Sequence, residues 1–267
     1  MLADESIRWL QSLTTVEVAE LSGKDAVAIL PLAAIEQHGP HLPLSTDLDI
    51  GLGILAAAFR LLPRDLPAFA LPAQAIGASR EHARFAGTLS MEPELLIAAI
   101  ESAGDALARD GVRRLVLSNS HGGNRHAMDE AGLRLREAHD MLVVKASWFR
   151  FPMPDGLDLP AAELKHGLHG GAIETAMMMH LEPERVRTDR MTAGRSLGQE
   201  LEKSLLRLGP EGAASFSWLA GDLNPDGVTG DARLADAALG AKLVAHFGKV
   251  LAEVILDARV FPLDRLA

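Results

Sequence analysis

Three short apolar runs constrain this chain most: Ala26-Val-Ala-Ile-Leu-Pro-Leu-Ala-Ala34, Val112-Arg-Arg-Leu-Val-Leu-Ser118 and Met141-Leu-Val-Val-Lys-Ala-Ser147. Each has the length of a strand and is nearly continuous in apolar residues. A strand of that kind needs cover on both faces, as in a parallel sheet. A weaker fourth run, 66–76, is broken by prolines. Helical spacing fills the gaps. Residues 47–62, 91–110, 124–139 and 171–181 read as helices, and so do 194–208 and 232–259. Ser90 is the expected N-cap and Gly111 the expected C-cap of the second of these. Strands alternating with helices imply βαβ units, hence an α/β fold with a mostly parallel central sheet. With 267 residues and no linker, repeat or low-complexity tract, one domain over 1–267 is expected. The stretch 221–231, rich in Gly, Pro and Asp, reads as a long loop.

Composition removes several function classes. Lys and Arg number 26 against 36 Asp and Glu, a net charge of −10. Nucleic-acid binding needs clustered cations, so it is not expected. Aromatic residues are 4% with no Tyr, which leaves little for base stacking. The absence of Cys excludes disulfides, iron–sulfur clusters, Cys-ligated zinc and a Cys nucleophile. The longest plainly apolar stretch, 52–59, is far short of the roughly 18 residues of a membrane span. The acidic start, Met1-Leu-Ala-Asp-Glu-Ser-Ile-Arg8, lacks the apolar core of a signal peptide. A cytoplasmic protein with no membrane partner is the expectation.

The chemistry collects in three clusters. Four of the ten histidines precede Gly: His38, His121, His166 and His169. A Gly there lets the chain turn and lets a ligand approach the backbone. The first cluster is Glu36-Gln-His-Gly-Pro-His-Leu-Pro-Leu-Ser-Thr-Asp47, just after the first strand. Ligands of α/β sheets sit at that carboxyl edge. Glu36 and His38 project to one side of extended chain, and Asp47 can point back from the first turn of the next helix. Together they make a cradle for a divalent metal; the alternative is a salt-bridged loop with Asp47 as a helix cap. The second cluster, Asn119-Ser-His-Gly-Gly-Asn124, again joins a strand end to a helix. His121 can reach the same edge. Gly122 and Gly123 could take a phosphate at the helix N-terminus, while Asn119 and Asn124 read as orienting groups or hydrogen-bond donors. The third cluster is His166-Gly-Leu-His-Gly-Gly-Ala-Ile-Glu-Thr175. Its Glu174 is either a site acid or a residue that favours the helix dipole. Met177, Met178 and Met179 read as core, and His82, His126, His139 and His246 as ordinary histidines. The six candidates Glu36, His38, Asp47, His121, His169 and Glu174 exceed what one metal needs, and two metals sharing a carboxylate can hold a hydroxide. A Ser–His–Asp triad is disfavoured, since no G-x-S-x-G elbow is present.

These three motifs, in this order, resemble the creatininase (creatinine amidohydrolase) family, and Gly227-Val-Thr-Gly-Asp231 is similar to its C-terminal Gly-Asp element. The resemblance implies one three-layer α/β/α domain, assembled into a hexamer or a smaller homo-oligomer. It implies two divalent metal ions per chain (Zn, Mn or Fe). Glu36 and His121 would hold one metal and His38 the other, with Asp47 bridging and His169 transferring protons. Creatininase carries a metal-binding Glu where this chain has Gly123. Glu174 is therefore expected to complete the second metal's shell and to matter for catalysis. Many members have Asp where His166 stands, and Asn-Gly-His where Asn119-Ser-His stands.

The expected activity is hydrolysis of a non-peptide C–N bond in a small amide, such as creatinine, by a metal-bridged hydroxide. A deformylase or peptidase of the same family is the alternative among enzymes. A metal- or ligand-binding protein that kept the fold is the alternative outside them. Asn119, Gly122, Gly123, Asn124 and Trp148 are the expected substrate contacts. Trp218 is a second candidate for the pocket wall, and core packing is the competing reading for both tryptophans.

Overall fold

A computed structural model describes residues 5–266. The first four residues of the acidic start lie outside them. The central sheet has four parallel strands: β1 (Val27–Leu32), β2 (Ala68–Ala70), β3 (Arg114–Asn119) and β4 (Leu142–Ser147), in the order β2-β1-β3-β4. The helices among the described residues are α1 (Thr15–Ala19), α2 (Thr46–Leu61), α3 (Pro93–Arg109), α4 (Arg125–His139), α5 (Ala161–His166), α6 (Ala172–Leu181), α7 (Leu197–Leu201), α8 (Ala220–Leu223) and α9 (Ala237–Val260). None is long and apolar enough to cross a membrane.

The apolar runs behave as their composition requires. All six residues of β1 are buried. Val27 and Ile29 face one core with Val116, Ala146 and the apolar sides of α2, α6 and α9. Ala28, Leu30 and Leu32 face a second core with Leu115, Leu117, α3 and α4. Alternation along a strand sends neighbouring side chains to opposite faces, so these two cores are the two interfaces of an α/β/α sandwich. Met177 and Met178 are fully buried in the first, as expected.

Pro31 sits inside a central strand, where a missing N–H would normally break a ladder. On the β2 side, the Leu71 N–H bonds to the Ile29 carbonyl, and the next N–H to arrive is that of Gln74, on the Pro31 carbonyl. The absent donor of Pro31 therefore falls where the second strand has left the sheet. That departure also shortens β2 to three residues within the expected 66–76 run.

The connections place a site. The helix after β1, α2, packs on the first core, and the helix after β3, α4, packs on the second. Adjacent strands whose connections leave to opposite faces open a crevice at their carboxyl ends. The β1–β3 pair provides one.

Three expectations change. The helix expected over 194–208 is only α7, because Leu205, Leu206 and Leu208 are exposed and find no apolar surface that would hold further turns. The loop expected over 221–231 contains part of α8 and ends in β6 (Gly230–Asp231), which pairs antiparallel with β5 (Ala193–Gly194). Ser90 does not cap α3. Glu92 occupies the N-cap with Pro93 behind it, and the Ser90 hydroxyl accepts from the Ser79 N–H at 3.0 Å.

Helices α6 and α9 meet closely at Gly240. A Cβ there would stand 1.9 Å from the Ala176 carbonyl oxygen. Helix propensity alone favours Ala over Gly by about 1 kcal/mol, but the clash acts the other way. Gly240→Ala is predicted to destabilise the protein by about 1–3 kcal/mol in urea unfolding; a gain in stability would contradict this packing.

Candidate metal centre

Glu36 and His38 lie on the loop that leaves β1, folded back by a bond from the Glu36 N–H to the Leu44 carbonyl. Asp47 follows in the first turn of α2. His121 lies two residues beyond the end of β3. His169 is pinned by paired backbone bonds with Thr229, on the late Gly-Asp element. Glu174 is in the first turn of α6. A buried carboxylate, Glu163, ties these segments together, accepting from the Ala172 N–H (2.8 Å) and the Asp231 N–H (2.7 Å). Five elements thus bring the six candidates to one edge of the sheet. Glu36, His38, Asp47 and His121 are each no more than 4% exposed.

Asp47 stands between two histidines. Its Oδ1 is 3.3 Å from His38 Nε2, and its Oδ2 is 3.3 Å from His121 Nδ1. Glu36 Oε2 is also 3.3 Å from His121 Nδ1, and Glu174 Oε2 is 4.0 Å from His38 Nε2. Among the described residues, three groups of potential metal ligands result: Glu36, Asp47 and His121; His38, His169 and Glu174; and Glu36, His82 and His169. Within each, the ligand atoms lie within 4.8 Å of one another. Glu36 Oε1 and Oε2, His38 Nε2 and Asp47 Oδ2 are buried without a hydrogen-bond partner. Buried polar atoms rarely stay so, and charged ones less readily still. Divalent cations between them would satisfy all four atoms, and the O/N donor set suits Zn, Mn or Fe.

Backbone contacts set the imidazole tautomers. His38 Nδ1 lies 3.1 Å from the Glu36 carbonyl and His121 Nε2 lies 3.1 Å from the Ala78 carbonyl. A carbonyl can only accept, so each of these nitrogens carries the proton. Nε2 of His38 and Nδ1 of His121 are then the atoms that offer a lone pair once their second proton leaves, and both face Asp47. His169 Nε2 lies 2.6 Å from the Gln37 carbonyl, which leaves its Nδ1 facing Glu36 Oε1 at 3.8 Å.

Electrostatics point the same way. Burial opposes a charged His38, yet Asp47, Glu174 and Glu36 push it up to about 10. Burial likewise opposes a charged His121, and Glu36 and Asp47 raise it well above its ordinary value. Burial raises the Glu174 carboxyl to about 7, with His38 acting against that rise. Burial also works against ionised Glu36, but His121, His82 and His169 hold its carboxyl well below the ordinary range. His169 moves well below its ordinary value through burial and through His38 and His82 beside it. This much buried acid draws protons onto His38 and His121, the two histidines beside Asp47. A divalent cation competes for the same place.

The sequence profile of the Creatininase family, described as creatinine amidohydrolase, matches residues 11–255. The chain belongs to the creatininase family. It is 36% identical over 234 residues to a mycofactocin precursor peptide peptidase of Mycobacterium tuberculosis, covering 85% of this chain and 83% of that protein. It is 30% identical over 188 residues to a creatinine amidohydrolase of Pseudomonas putida, covering 65% and 71%. The solved structure named Creatininase Mn shares the fold, with a TM-score of 0.73 at 24% identity, over 94% of this chain and 98% of that one. A putative creatinine amidohydrolase from Bacteroides fragilis has a TM-score of 0.74 at 22% identity, over 97% and 98%. Like its family, this protein is a hydrolase acting on C–N bonds.

The expected substrate contacts divide. Gly122 is exposed at the start of the turn before α4. Gly123 has no room for a side chain, since a Cβ would stand 2.1 Å from the Ala78 carbonyl oxygen and 2.7 Å from Glu81 Oε1. The acid that creatininase carries there cannot be accommodated without moving the chain. Asn119 and Asn124 sit behind His121. The Asn119 amide donates to the His121 carbonyl and the Ser147 hydroxyl, and its oxygen accepts from the His121 N–H and from Asn124. Asn124 also donates to the Ala33 carbonyl and accepts from the Ala78 N–H. Their polar atoms are committed to the protein, so the structure supports the orienting role and not the substrate contact. Trp148 packs in the first core against Phe149 and Phe247, with ring centroids 5.6 and 5.1 Å away. Trp218 is half-buried and donates to the Pro210 carbonyl.

One histidine read as ordinary belongs to the centre. His82 is buried, with Nε2 3.5 Å from Glu36 Oε1 and its ring stacked 4.2 Å from that of His169. It arrives on the loop after β2. Because β2 neighbours β1, that loop opens onto the same edge; a firmer reading of the Pro-broken second strand would have drawn attention to it. His41, fully buried beneath His38, bonds Thr175 of α6 at 2.8 Å.

Cation binding is predicted to release protons from His38 and His121. The sign follows from their raised values: lowering the pH refills both imidazoles and weakens binding, and raising it toward about 10 strengthens binding. Calorimetric titration of Zn or Mn in buffers of different ionisation enthalpy measures the release. Binding with no net proton release near neutral pH would contradict this arrangement.

Proposed function

We propose that the protein is a peptidase with a dinuclear centre bridged by Asp47. The observation that carries the dinuclear reading is Asp47 itself, with one oxygen 3.3 Å from each of two histidines whose lone pairs face it. Glu36 and His121 would hold one cation, His38 and Glu174 the other. When bound, such cations lower the pKa of water and polarise a carbonyl.

A peptide amide is the proposed substrate, in place of the small cyclic amide that the motifs suggested. Its support is the 36% identity to precursor peptide peptidases over most of both chains. The crowded surroundings of Gly123 also speak against the creatininase arrangement.

The protein's own groups have separable tasks. His169 keeps one proton on Nε2 against the Gln37 carbonyl, so Nδ1 is the atom that takes and returns a proton. In amide hydrolysis water adds to the carbonyl carbon, the C–N bond breaks, and the leaving nitrogen needs a proton. Nδ1 of His169 would take a proton from the attacking water and pass it to that nitrogen. Low basicity in the metal-free site suits a group that gives a proton up readily. Glu174 is held by the Gly170 N–H at 2.6 Å, which aims Oε2 at His38.

Chelation is predicted to abolish hydrolysis of short peptides while circular dichroism stays unchanged, and added Mn or Zn should restore it. His169→Ala should keep both cations and lose roughly 10²–10⁴ in rate. Asp47→Asn should lower both occupancies, and Glu174→Gln mainly the second. Turnover of creatinine but of no peptide would overturn the substrate proposed, and full activity in protein shown metal-free by elemental analysis would overturn the metal reading.

A further inference from the structure

Behind the proposed ligands runs a chain of contacts that none of the expected roles uses. It starts at Gly227 on the late loop, passes through Gln37 and His82, and ends at Glu36. Gln37 is the fixed part. Its Oε1 accepts from the Gly39 N–H at 2.9 Å, which settles the orientation of the amide. Its Nε2 therefore donates, to the Gly227 carbonyl at 3.1 Å and to His82 Nδ1 at 2.8 Å. Gly227 has φ +74°, and a Cβ there would stand 2.5 Å from Gln37 Oε1. Only Gly lets the loop close on the amide this tightly.

An amide N–H can only donate, so His82 Nδ1 is the acceptor and Nε2 carries the proton. That nitrogen lies 3.5 Å from Glu36 Oε1, an electrostatic contact rather than a formed hydrogen bond. The same logic removes His82 from the metal ligands. Glu36, His82 and His169 lie close enough together to suggest a third cation group, but His82 has no lone pair to offer it in this tautomer.

Resting on the metal-centre reading above, we propose that His82 is a positioning residue for Glu36. Locked by Gln37 as an Nε2–H donor, it steers one carboxylate oxygen of Glu36 and leaves the other, Oε2, for the cation shared with His121. Orienting partners of this kind commonly contribute a factor of 10–100 in metal affinity.

Two measurements test it on the full-length protein. Nitrogen-15 NMR of the metal-free and Zn-loaded protein should show His82 as the Nε2–H tautomer in both. An Nδ1–H tautomer, or loss of the Nε2 proton on Zn binding, would overturn the proposal and make His82 a ligand. Competition titration of Zn should show His82→Leu weakened about 10–100-fold at the tighter site, with His82→Gln, which keeps a donor, recovering part of the loss. Unchanged Zn affinity in His82→Leu would overturn the proposal while the metal centre stands. Failure of the wild-type protein to bind Zn at all would instead remove the centre itself.

Discussion

The fold is organised around buried carboxylates that it leaves short of hydrogen bonds. Glu36 and Asp47 present carboxylate oxygens to the interior with no hydrogen-bond donor on Glu36 Oε1, Glu36 Oε2 or Asp47 Oδ2. A chain that only had to fold would gain by replacing them with apolar residues, because desolvated charge is costly unless it is paired. Their persistence in a well-packed position makes sense if cations complete them. Most other features of the edge serve that arrangement. The β1–β3 switch point opens the crevice, backbone carbonyls fix two histidine tautomers, and Asn119 and Asn124 brace the His121 turn.

The bracing extends beyond the ligands. Asp49, one half-turn beyond Asp47 on α2, is buried and accepts from Arg185 Nη1 at 2.8 Å and from the Ser45 hydroxyl at 2.9 Å. Arg185 follows α6, so this pair ties the start of α2 to the end of the helix that bears Glu174. Glu163 ties the other end of α6 to β6. Asp47 and Glu174 are thus held at a fixed separation by two clamps, one at each end of α6. Rigidity of this kind is what a site with closely spaced like charges requires, since mobile carboxylates would move apart.

Much of this was legible in the sequence because it follows from local rules. Continuous apolar runs marked β1, β3 and β4, and the His-Gly pairs within all three clusters marked chain that turns near a ligand. Glu36, His38, Asp47, His121, His169 and Glu174 do come together. What was not legible depended on distant pairing. The tautomer of His82 is set by Gln37, 45 residues away in the chain, and the amide of Gln37 is itself fixed partly by Gly227, 190 residues away. Nothing in the neighbourhood of His82 reports either bond. That Asn119 spends its amide on His121, Ser147 and Asn124, and Asn124 on Ala33 and Ala78, is likewise hidden in the sequence, because a short polar motif does not disclose its partners. The helix expected over 194–208 failed because spacing alone does not supply a surface to pack against.

The central claim is that one carboxylate, Asp47, joins two cations. Electron paramagnetic resonance of the protein loaded with two Mn(II) per chain tests it most directly, since only ions sharing a close bridge are exchange-coupled. The account predicts a coupled dinuclear spectrum that collapses to isolated-ion signals in Asp47→Asn. Uncoupled six-line signals from the fully loaded wild-type protein, or saturation at one Mn(II) per chain, would contradict it.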